Sequence, residues 1–416
     1  MTVRTNWAGN FAFSAERVLA PASVEEVQRV VAEASTARVV GTGHSFNRIA
    51  DTTGTLISLE GLPEVFEPGA DTARVGAGMK LARLAELLHS RGLALPTMPS
   101  LPHITLAGAC TTATHGSGNL VGSFADMVRS VDLVTADGSL RTLRRGEPGF
   151  EGAVVSLGAL GAVVALEVAV QPDFDVEQRV HDLPWDSLVE HVQDIFATAY
   201  SVSAFTLYRG TAEVWVKRRL DDEPADLAAF GGRPADGPRH PVPGQPALHC
   251  TPQLGEPGPW HERLPHFRAD FTPSVGEELQ SEYFVAREHA ADALRALAEL
   301  GERFAPVLLT SEIRTVDADE QWLSPVHGRP AVAFHFTWRQ DTDAVLEVLR
   351  LVEQALAPWS PRPHWGKLFA LAPEQLRARY QWSRFADLLE EFDAAGKFRN
   401  ELVTRWCSGS STTATP

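Results

Sequence analysis

Residues 96–118 read PTMPSLPHITLAGACTTATHGSG, and this stretch says more about the fold than any other part of the chain. It is dense in Gly, Ser and Thr, and no Lys or Arg occurs between Arg91 and Arg129. A loop of small residues exposes backbone N–H groups and hydroxyls, which can hold an anion without formal positive charge. A plain buried loop, in which glycine allows tight packing, is the alternative. The stretch is therefore a candidate phosphate-binding loop.

Two other glycine-rich segments do not fit a dinucleotide-binding fingerprint. GTGHSF (41–46) follows a strand-like segment, but it lacks the third glycine and no helix pattern opens there. GSGNLVG (116–122) has no apolar strand before it. A Rossmann-type NAD site is therefore not predicted. The histidine of the first turn, His44, is either an ordinary turn residue held by hydrogen bonds or a residue that contacts a ligand. The spacings of His44, His89, His103 and His115 match no ligand signature, so we predict no metal site.

Length and charge limit the possible functions. A chain of 416 residues is long enough for two domains. The 37 basic and 53 acidic side chains give a net charge of −16, which disfavours partners such as nucleic acids and anionic membranes. Three cysteines without a CxxC pair indicate free thiols, and the N-terminus has no apolar export signal, so we predict a cytoplasmic protein.

The chain changes character at about residue 173. Before it, short helices alternate with strands: a capping box at Ser23 and Glu26 predicts a helix to about Ala37, and residues 128–145 predict a hairpin. The apolar stretch 153–170 predicts two buried strands with a turn rather than a membrane span.

After residue 173 the pattern predicts an antiparallel sheet with helices on one face. A loop at 221–260 holds nine Pro and six Gly, and residues 287–304 predict an amphipathic helix. The segment FDAAGKFRNELV (392–403) is apolar enough to dock back on the first domain.

Two strand-like segments in the second half alternate polar and apolar residues. Glu312 and Arg314 face one side of their strand, and His335 and Thr337 face one side of theirs. These groups line either a hydrophilic substrate site or a solvated sheet face. Taken alone, Lys367 in a loop bracketed by prolines is a surface lysine.

Several long motifs occur together in order along nearly the whole chain. They are NWAGN (6–10), GTGHSFN (41–47), SLPHITLAG (100–108), TTATHGSG (111–118), GPWHERLPHFRADFTPS (258–274), SEIRTV (311–316), HFTW (335–338), RPHWGK (362–367) and GKFRN (396–400). With these motifs the chain resembles the vanillyl-alcohol-oxidase family of flavoproteins, and within it the bacterial alditol (xylitol) oxidases.

The resemblance implies an α+β, two-domain flavoprotein. An FAD-binding domain of two small sheets with helices would span 1–172, and an antiparallel-sheet, substrate-binding cap would span 173–368. The segment 369–416 would return to the first domain, with a disordered tail from about 408. The histidine of the GxGHS turn, His44, would bind FAD covalently at its 8α-methyl group. The other cofactor contacts implied are Gly41, Thr42, Gly43, Ser45, Ser100, Thr105, Gly108, Thr112, Ala113, Thr114, His115, Val163 and His364.

The implied reaction oxidises the terminal primary alcohol of an alditol such as xylitol or sorbitol to the aldose, with hydride transfer to flavin N5 and reduction of O2 to hydrogen peroxide. Ser100, Glu312, Arg314, Thr337 and Lys367 would bind the polyol. Lys367 and His335 would transfer the proton of the alcohol, and the resemblance does not decide which of the two is the base. Arg314 would stabilise the anionic reduced flavin.

One residue departs from the family pattern, which commonly has a small Ala or Gly before the substrate serine. This chain has Pro99 at that position, where residue size is associated with access of oxygen to the flavin. The alternatives are therefore a sugar-lactone (aldonolactone) oxidase and a polyol dehydrogenase that uses another electron acceptor. We predict a monomer with small-molecule partners only.

Overall fold

The computed structural model describes residues 4–271 and 278–408. The predicted tail from about 408 lies almost entirely outside the described residues. The strands are β1 (Arg17–Leu19), β2 (Ala37–Val40), β3 (Thr55–Ser58), β4 (Phe66–Pro68), β5 (Thr72–Gly76), β6 (Leu93–Ala94), β7 (Val128–Val134), β8 (Leu140–Arg144), β9 (Ala162–Ala169), β10 (Gln171–Pro172), β11 (Asp175–Pro184), β12 (Ser201–Thr206), β13 (Thr211–Arg219), β14 (Arg233–Pro234), β15 (Gly258–Pro259), β16 (Glu278–Ala286), β17 (Leu308–Val316), β18 (Ala331–Arg339) and β19 (Arg362–Pro363).

The α-helices are mostly short and lie between these strands. They are α1 (Val24–Glu33), α2 (Leu81–His89), α3 (Leu106–Thr111), α4 (Phe150–Val154), α5 (Trp185–Glu190), α6 (Val192–Phe196), α7 (Trp260–Arg263), α8 (Ala290–Glu299), α9 (Gly301–Phe304), α10 (Thr342–Leu356), α11 (Pro373–Arg377), α12 (Trp382–Asp393) and α13 (Glu401–Ser408). No helix in the described part of the chain is long and apolar enough to cross a membrane. The α+β class is confirmed.

Two small sheets form the N-terminal part of the molecule. Strands β1, β3 and β2 make a parallel sheet, and β4, β5, β9, β7 and β8 make an antiparallel one. The predicted hairpin is present as β7 and β8, and Gly138 takes a φ of +85° at its turn. The predicted Ser23 cap is present, because Ser23 accepts from the Glu26 amide. The capping box is not complete, because the Glu26 carboxylate accepts from the amide of Ala22, one residue before the cap, and not from that of Ser23.

A nine-stranded antiparallel sheet forms the second half, in the order β14-β11-β13-β12-β17-β18-β16-β19, with β15 also paired to β11. On one face of β18, Phe334, Phe336 and Trp338 are fully buried in the main hydrophobic core, which also takes in helices α8 and α10. The opposite face carries the polar residues of β16, β17 and β18. The sheet thus presents a polar face to the interior of the protein.

Four local predictions need correction. The stretch 153–170 contains the end of helix α4 and a single strand, β9, because full burial leaves no alternation that separates a helix from a strand. Helix α1 ends at Glu33, since Ala37 already starts strand β2. The helix predicted at 287–304 is interrupted between α8 and α9. The loop 221–260 is not structureless, because β14 and β15 extend the sheet at β11.

The segment that follows α12 is hydrogen-bonded to the N-terminal part. The Lys397 carbonyl accepts from the Ala37 amide at 2.9 Å, and the Phe398 carbonyl accepts from the buried guanidinium of Arg38 at 2.6 Å. The Asn400 amide donates to the carbonyls of Arg48 and Asp51 at 2.8 and 2.9 Å. The C-terminal segment therefore contacts strand β2 and the turn that follows it.

Candidate active site

A cavity of about 830 Å³ lies between the polar face of the large sheet and the loops of the N-terminal part. Direct hydrogen bonds join two of the motif segments at its wall. The Asn47 amide donates to the carbonyls of Trp365 and Lys367 at 2.8 and 2.7 Å, and the Phe46 amide donates to the Gly366 carbonyl at 2.7 Å. The turn that carries His44 and the loop that carries Lys367 therefore share one cavity.

One row of cross-strand neighbours supplies the polar wall. Glu282 on β16 pairs with His335 on β18, which pairs with Glu312 on β17. Arg314 lies two residues from Glu312, and Thr337 lies two residues from His335, so each points to the same face as its neighbour. All five side chains are at least nine-tenths buried and line the cavity. The face is a hydrophilic site and not a solvated surface.

Glu282 contacts three charged or titratable side chains of the site. Its Oε2 accepts from Lys367 Nζ at 2.7 Å, its Oε1 accepts from Arg314 Nη2, and His115 Nε2 lies 3.2 Å from Oε1. Burial alone would raise the pKa of this carboxyl, but Arg314 and Lys367 hold the pKa well below its usual range. Glu282 therefore stays ionised and fixes both cations.

Lys367 Nζ also contacts His335 Nδ1 at 2.7 Å, while His335 Nε2 lies 3.2 Å from Thr337 Oγ1. Burial lowers the pKa of Lys367, and the Glu282 carboxylate opposes that shift. Burial followed by the Lys367 charge lowers the pKa of His335 well below its usual range, so the imidazole is neutral. A neutral Lys367 amine has two N–H donors, which Glu282 and His335 take, and its lone pair remains available.

The turn around His44 combines an aromatic contact with unbonded backbone groups. The His44 ring lies 4.2 Å from the Trp7 ring, centroid to centroid. Within residues 4–271 and 278–408, neither His44 nor the backbone amides of Thr42, Gly43 and Ser45 donate a hydrogen bond. Burial, followed by the charge of Lys367, lowers the pKa of His44 to about 3, so its imidazole is neutral. Free amides beside a cavity suit an anionic or strongly polar ligand.

The loop at 96–118 borders the same cavity. Thr105 caps helix α3 by accepting from the Gly108 amide, and Gly108 is open to the cavity. Thr114 Oγ1 lies 3.3 Å from His364 Nε2, and His364 Nδ1 accepts from the Gly366 amide at 3.1 Å. The amides of Gly108, Thr112 and Thr114 donate within the protein, to Thr105 Oγ1 and to the carbonyls of Cys110 and Ala109. The hydroxyls of this loop, together with the unbonded amides of the His44 turn, form an uncharged cradle that suits phosphate oxygens.

Most residues predicted for the site line this cavity. They are Gly41, Thr42, Gly43, His44, Ser45, Pro99, Ser100, Thr105, Gly108, Thr112, Thr114, His115, Glu312, Arg314, His335, Thr337, His364 and Lys367. Two do not: Ala113 is buried with a φ of +53°, and Val163 is buried within β9. Their contacts with a cofactor remain predictions.

Sequence reasoning missed two residues of the wall, Glu282 and His266. Glu282 stands in LQSEYFVA, a predicted strand, and a carboxylate among such apolar residues was a signal for a buried functional charge. His266 stands in the specific motif GPWHERLPHFR, for which no role was assigned, and its Nε2 lies 2.7 Å from Glu312 Oε1.

Comparison with known proteins supports a flavoenzyme. Residues 15–144 match the FAD binding domain family, and residues 277–406 match the D-arabinono-1,4-lactone oxidase family. The chain is 52% identical to an alditol oxidase of Streptomyces sp. over 97% of its own length and 98% of that protein. It is 27% identical to the L-gulono-1,4-lactone dehydrogenase of Mycobacterium tuberculosis over 96% of its length and 98% of that protein.

Solved structures show the same fold at low sequence identity. Cholesterol oxidase from B. sterolicum superposes with a TM-score of 0.77 at 15% identity, covering 97% of this chain and 96% of that one.

Proposed function

Because the chain belongs to the alditol oxidases of the vanillyl-alcohol-oxidase family, we propose that it oxidises the terminal primary alcohol of an alditol to the aldose. The observation that carries this proposal is the polar wall of the cavity, where Glu312, Arg314 and Thr337 lie beside the Lys367–His335 pair. A polyol offers only hydroxyls, and its recognition requires many paired donors and acceptors, each costly when left unpaired. FAD, when bound, supplies the hydride acceptor at N5 and the two-electron reduction of O2 to H2O2.

The cofactor-facing residues fit FAD in chemistry. The hydroxyls of Thr112 and Thr114 and the unbonded amides of the His44 turn offer uncharged groups to a pyrophosphate, with Gly41, Thr105 and Gly108 beside them. We propose that the ribityl and isoalloxazine parts lie between the His44 turn and the polar sheet face, with Ser100 and His364 beside them. In this arrangement residues 1–172 hold the cofactor, residues 173–368 provide the polyol wall, and the segment from 369 braces the cofactor part.

We further propose that a ring nitrogen of His44 is bonded to the 8α-methyl carbon of FAD. The bond would replace one C–H bond of the methyl group and the N–H bond of the imidazole, and O2 would take up the two electrons and both hydrogens as H2O2. Its imidazole is neutral, packs on Trp7 and keeps its ring nitrogens free of protein partners in the described chain. A neutral, unbonded imidazole is a competent nucleophile.

His44→Ala is expected to release the flavin. Wild-type protein precipitated with acid should keep its yellow colour in the pellet, whereas the variant should lose nearly all of it to the supernatant. His103→Ala is the matched control, because His103 lines no part of the cavity and contacts the Ala269 carbonyl. Free flavin in the wild-type supernatant would contradict the covalent bond but not FAD binding.

The proton of the reacting hydroxyl goes, in this proposal, to Lys367 Nζ. Glu282 and His335 take both N–H donors of the neutral amine and so aim its lone pair. Glu312 and Thr337 hold neighbouring hydroxyls, and Arg314 places a positive charge where negative charge develops on hydride transfer.

Anaerobic flavin bleaching with a panel of xylitol, sorbitol and L-gulono-1,4-lactone tests the function. We expect bleaching by the polyols and at most slow bleaching by the lactone, and the reverse order would favour the lactone alternative. Oxygen uptake measured beside reduction of an artificial dye then separates an oxidase from a dehydrogenase. Turnover with the dye alone would implicate Pro99, which is buried in the cavity wall.

A further inference from the structure

The motif GPWHERLPHFR connects the two halves of the site. The backbone amides of His266 and Phe267 both donate to the Ser100 carbonyl at 3.3 Å, and His266 Nε2 meets Glu312 Oε1 at 2.7 Å. The His266 ring is held edge-on between Phe205 and Trp215, with centroid separations of 5.3 and 5.2 Å. This one residue therefore touches a carboxylate of the proposed polyol wall and, through its backbone, the loop that carries Ser100.

Lys217 lies behind His266 and does not line the cavity. Its side chain is buried, with 1% of the residue exposed, on strand β13. Its ammonium group contacts three acceptors, which are the Leu264 carbonyl, the Pro265 carbonyl at 3.1 Å and His266 Nδ1 at 3.1 Å. An ammonium group has three donors and no acceptor, so the three contacts use all of them.

The geometry determines which His266 nitrogen carries the proton. Because the ammonium donates to Nδ1, that nitrogen has to be an acceptor, and the ring proton has to sit on Nε2. The Nε2–H group then donates to Glu312 Oε1. Glu312 Oε2 has Arg314 Nε at 3.7 Å, beyond hydrogen-bond distance, and remains able to accept from a substrate hydroxyl.

We propose that Lys217 and His266 are positioning residues for polyol recognition, in which Lys217 fixes the His266 tautomer and His266 fixes Glu312 as an ionised acceptor for a substrate hydroxyl. The relay rests on the proposed function, since its purpose is polyol binding. The relay assigns a role to the GPWHERLPHFR motif. It acts on substrate binding and not on proton transfer, because the Lys367–His335 pair has no contact with Lys217.

Lys217→Met tests the relay through the division between KM and kcat. Burial lowers the pKa of Lys217 to about 7 although Glu312 opposes that shift, so assays below this pH retain the ammonium form. We expect the KM for xylitol to rise about fivefold to tenfold, the effect of losing one ordinary hydrogen bond, because Glu312 is misplaced but still present, with kcat within about twofold. Lys397→Met is the matched control, since Lys397 also donates to backbone carbonyls, those of Val31 and Ala136, away from the cavity.

A structural role for Lys217 predicts a different pattern. In that case flavin content, thermal midpoint and kcat would fall together, or the KM would match that of Lys397→Met, and either result overturns the relay. A second pair of variants, both at His266, tests the relay if Lys217→Met does not fold. His266→Gln keeps an N–H donor and should show a lower KM than His266→Phe, which has none, and the opposite order contradicts the proposal.

Two measurements test whether Lys217 acts on the KM through His266. In a His266→Gln background, adding Lys217→Met should leave the KM unchanged, because the tautomer it controls is gone; an undiminished increase is evidence against the relay. Histidine-selective 15N NMR should show an Nε2–H tautomer for His266, assigned by its loss in His266→Gln. An Nδ1–H tautomer overturns the relay without any activity measurement. A wild-type flavin that no polyol bleaches would contradict the proposed function, while the NMR result still decides the relay.

Discussion

Glu282→Gln is expected to lower the free energy of unfolding by about 3–5 kcal/mol, the range observed when one partner of a buried ion pair is removed. Glu282 is 1% exposed and faces Arg314, Lys367 and His115. An amide of the same size leaves the cations without their counter-charge in a site shielded from water. Urea denaturation of the variant and the wild type, compared at equal flavin content, measures the loss.

Glu353→Gln is the matched control for this substitution. Glu353 is also buried, but burial raises its pKa to about 7, and it accepts from the Tyr283 hydroxyl and the Ala370 amide instead of pairing with a cation. Its carboxyl is already close to neutral, so the amide should cost less than about 1 kcal/mol. Equal losses in the two variants would show that Glu282 does not act through its charge.

The same substitution should impair the reaction. Without Glu282, Lys367 Nζ loses one of the two contacts that aim it, and we expect kcat/KM for xylitol to fall by about a hundredfold or more. A variant that is destabilised but retains full kcat/KM would confine Glu282 to a structural role.

Glu282 also shows what the sequence could and could not predict. The segment that carries it, LQSEYFVA (279–286), is strand-like because Tyr, Phe and Val favour strands, and it does form β16. Its partners were not, since Arg314 is 32 residues away and Lys367 is 85 residues away, and no local pattern relates them. The resemblance supplied Lys367 and Arg314 as site residues but not the carboxylate that joins them.

The fold, too, could be predicted where the signal lies in a short stretch of sequence, and not where that stretch carries no periodicity. The Ser23 cap, the Gly138 turn and the polar alternation of β17 and β18 are local, and all of them are present in the structure. The buried stretch at 153–170 was misassigned, because apolar residues on every side carry no periodicity. The domain boundaries remain predictions, although the hydrogen bonds of Lys397 to strand β2 and of Asn400 to the turn between β2 and β3 accord with a returning C-terminal segment.

The candidate phosphate-binding loop remains a prediction, although its position accords with one. A loop without Lys or Arg in a chain of net charge −16 was interpreted as an uncharged anion site, and its residues do border the cavity. Arg38, which lines the same cavity, donates to the carbonyls of Gly158, Leu157 and Phe398. A pyrophosphate site made of the hydroxyls of this loop and the unbonded amides of the His44 turn stays a prediction.

Lys367→Met should have the largest effect on catalysis. A positioned general base contributes about 10²–10⁴-fold, and Lys367 also holds His335, so we expect the limiting rate of anaerobic flavin bleaching by xylitol to fall by about 10³-fold or more. Lys80→Met is a suitable control, since Lys80 is exposed at the start of helix α2. Stopped-flow absorbance of the flavin measures both, and unchanged bleaching in Lys367→Met would remove Lys367 from the mechanism.

The pH dependence of kcat/KM tests the same role of Lys367 as a general base. Only the neutral amine can accept a proton, and burial lowers the pKa of Lys367 from its ordinary value of 10.5. The wild-type kcat/KM should therefore rise with pH as Lys367 loses its proton, with a midpoint below the ordinary lysine value of 10.5. The residual activity of Lys367→Met should lack this ionisation. If the rise persists unchanged in the variant, Lys367 is not the titrating base; His335 does not account for such a rise either, because its pKa lies well below the ordinary histidine value.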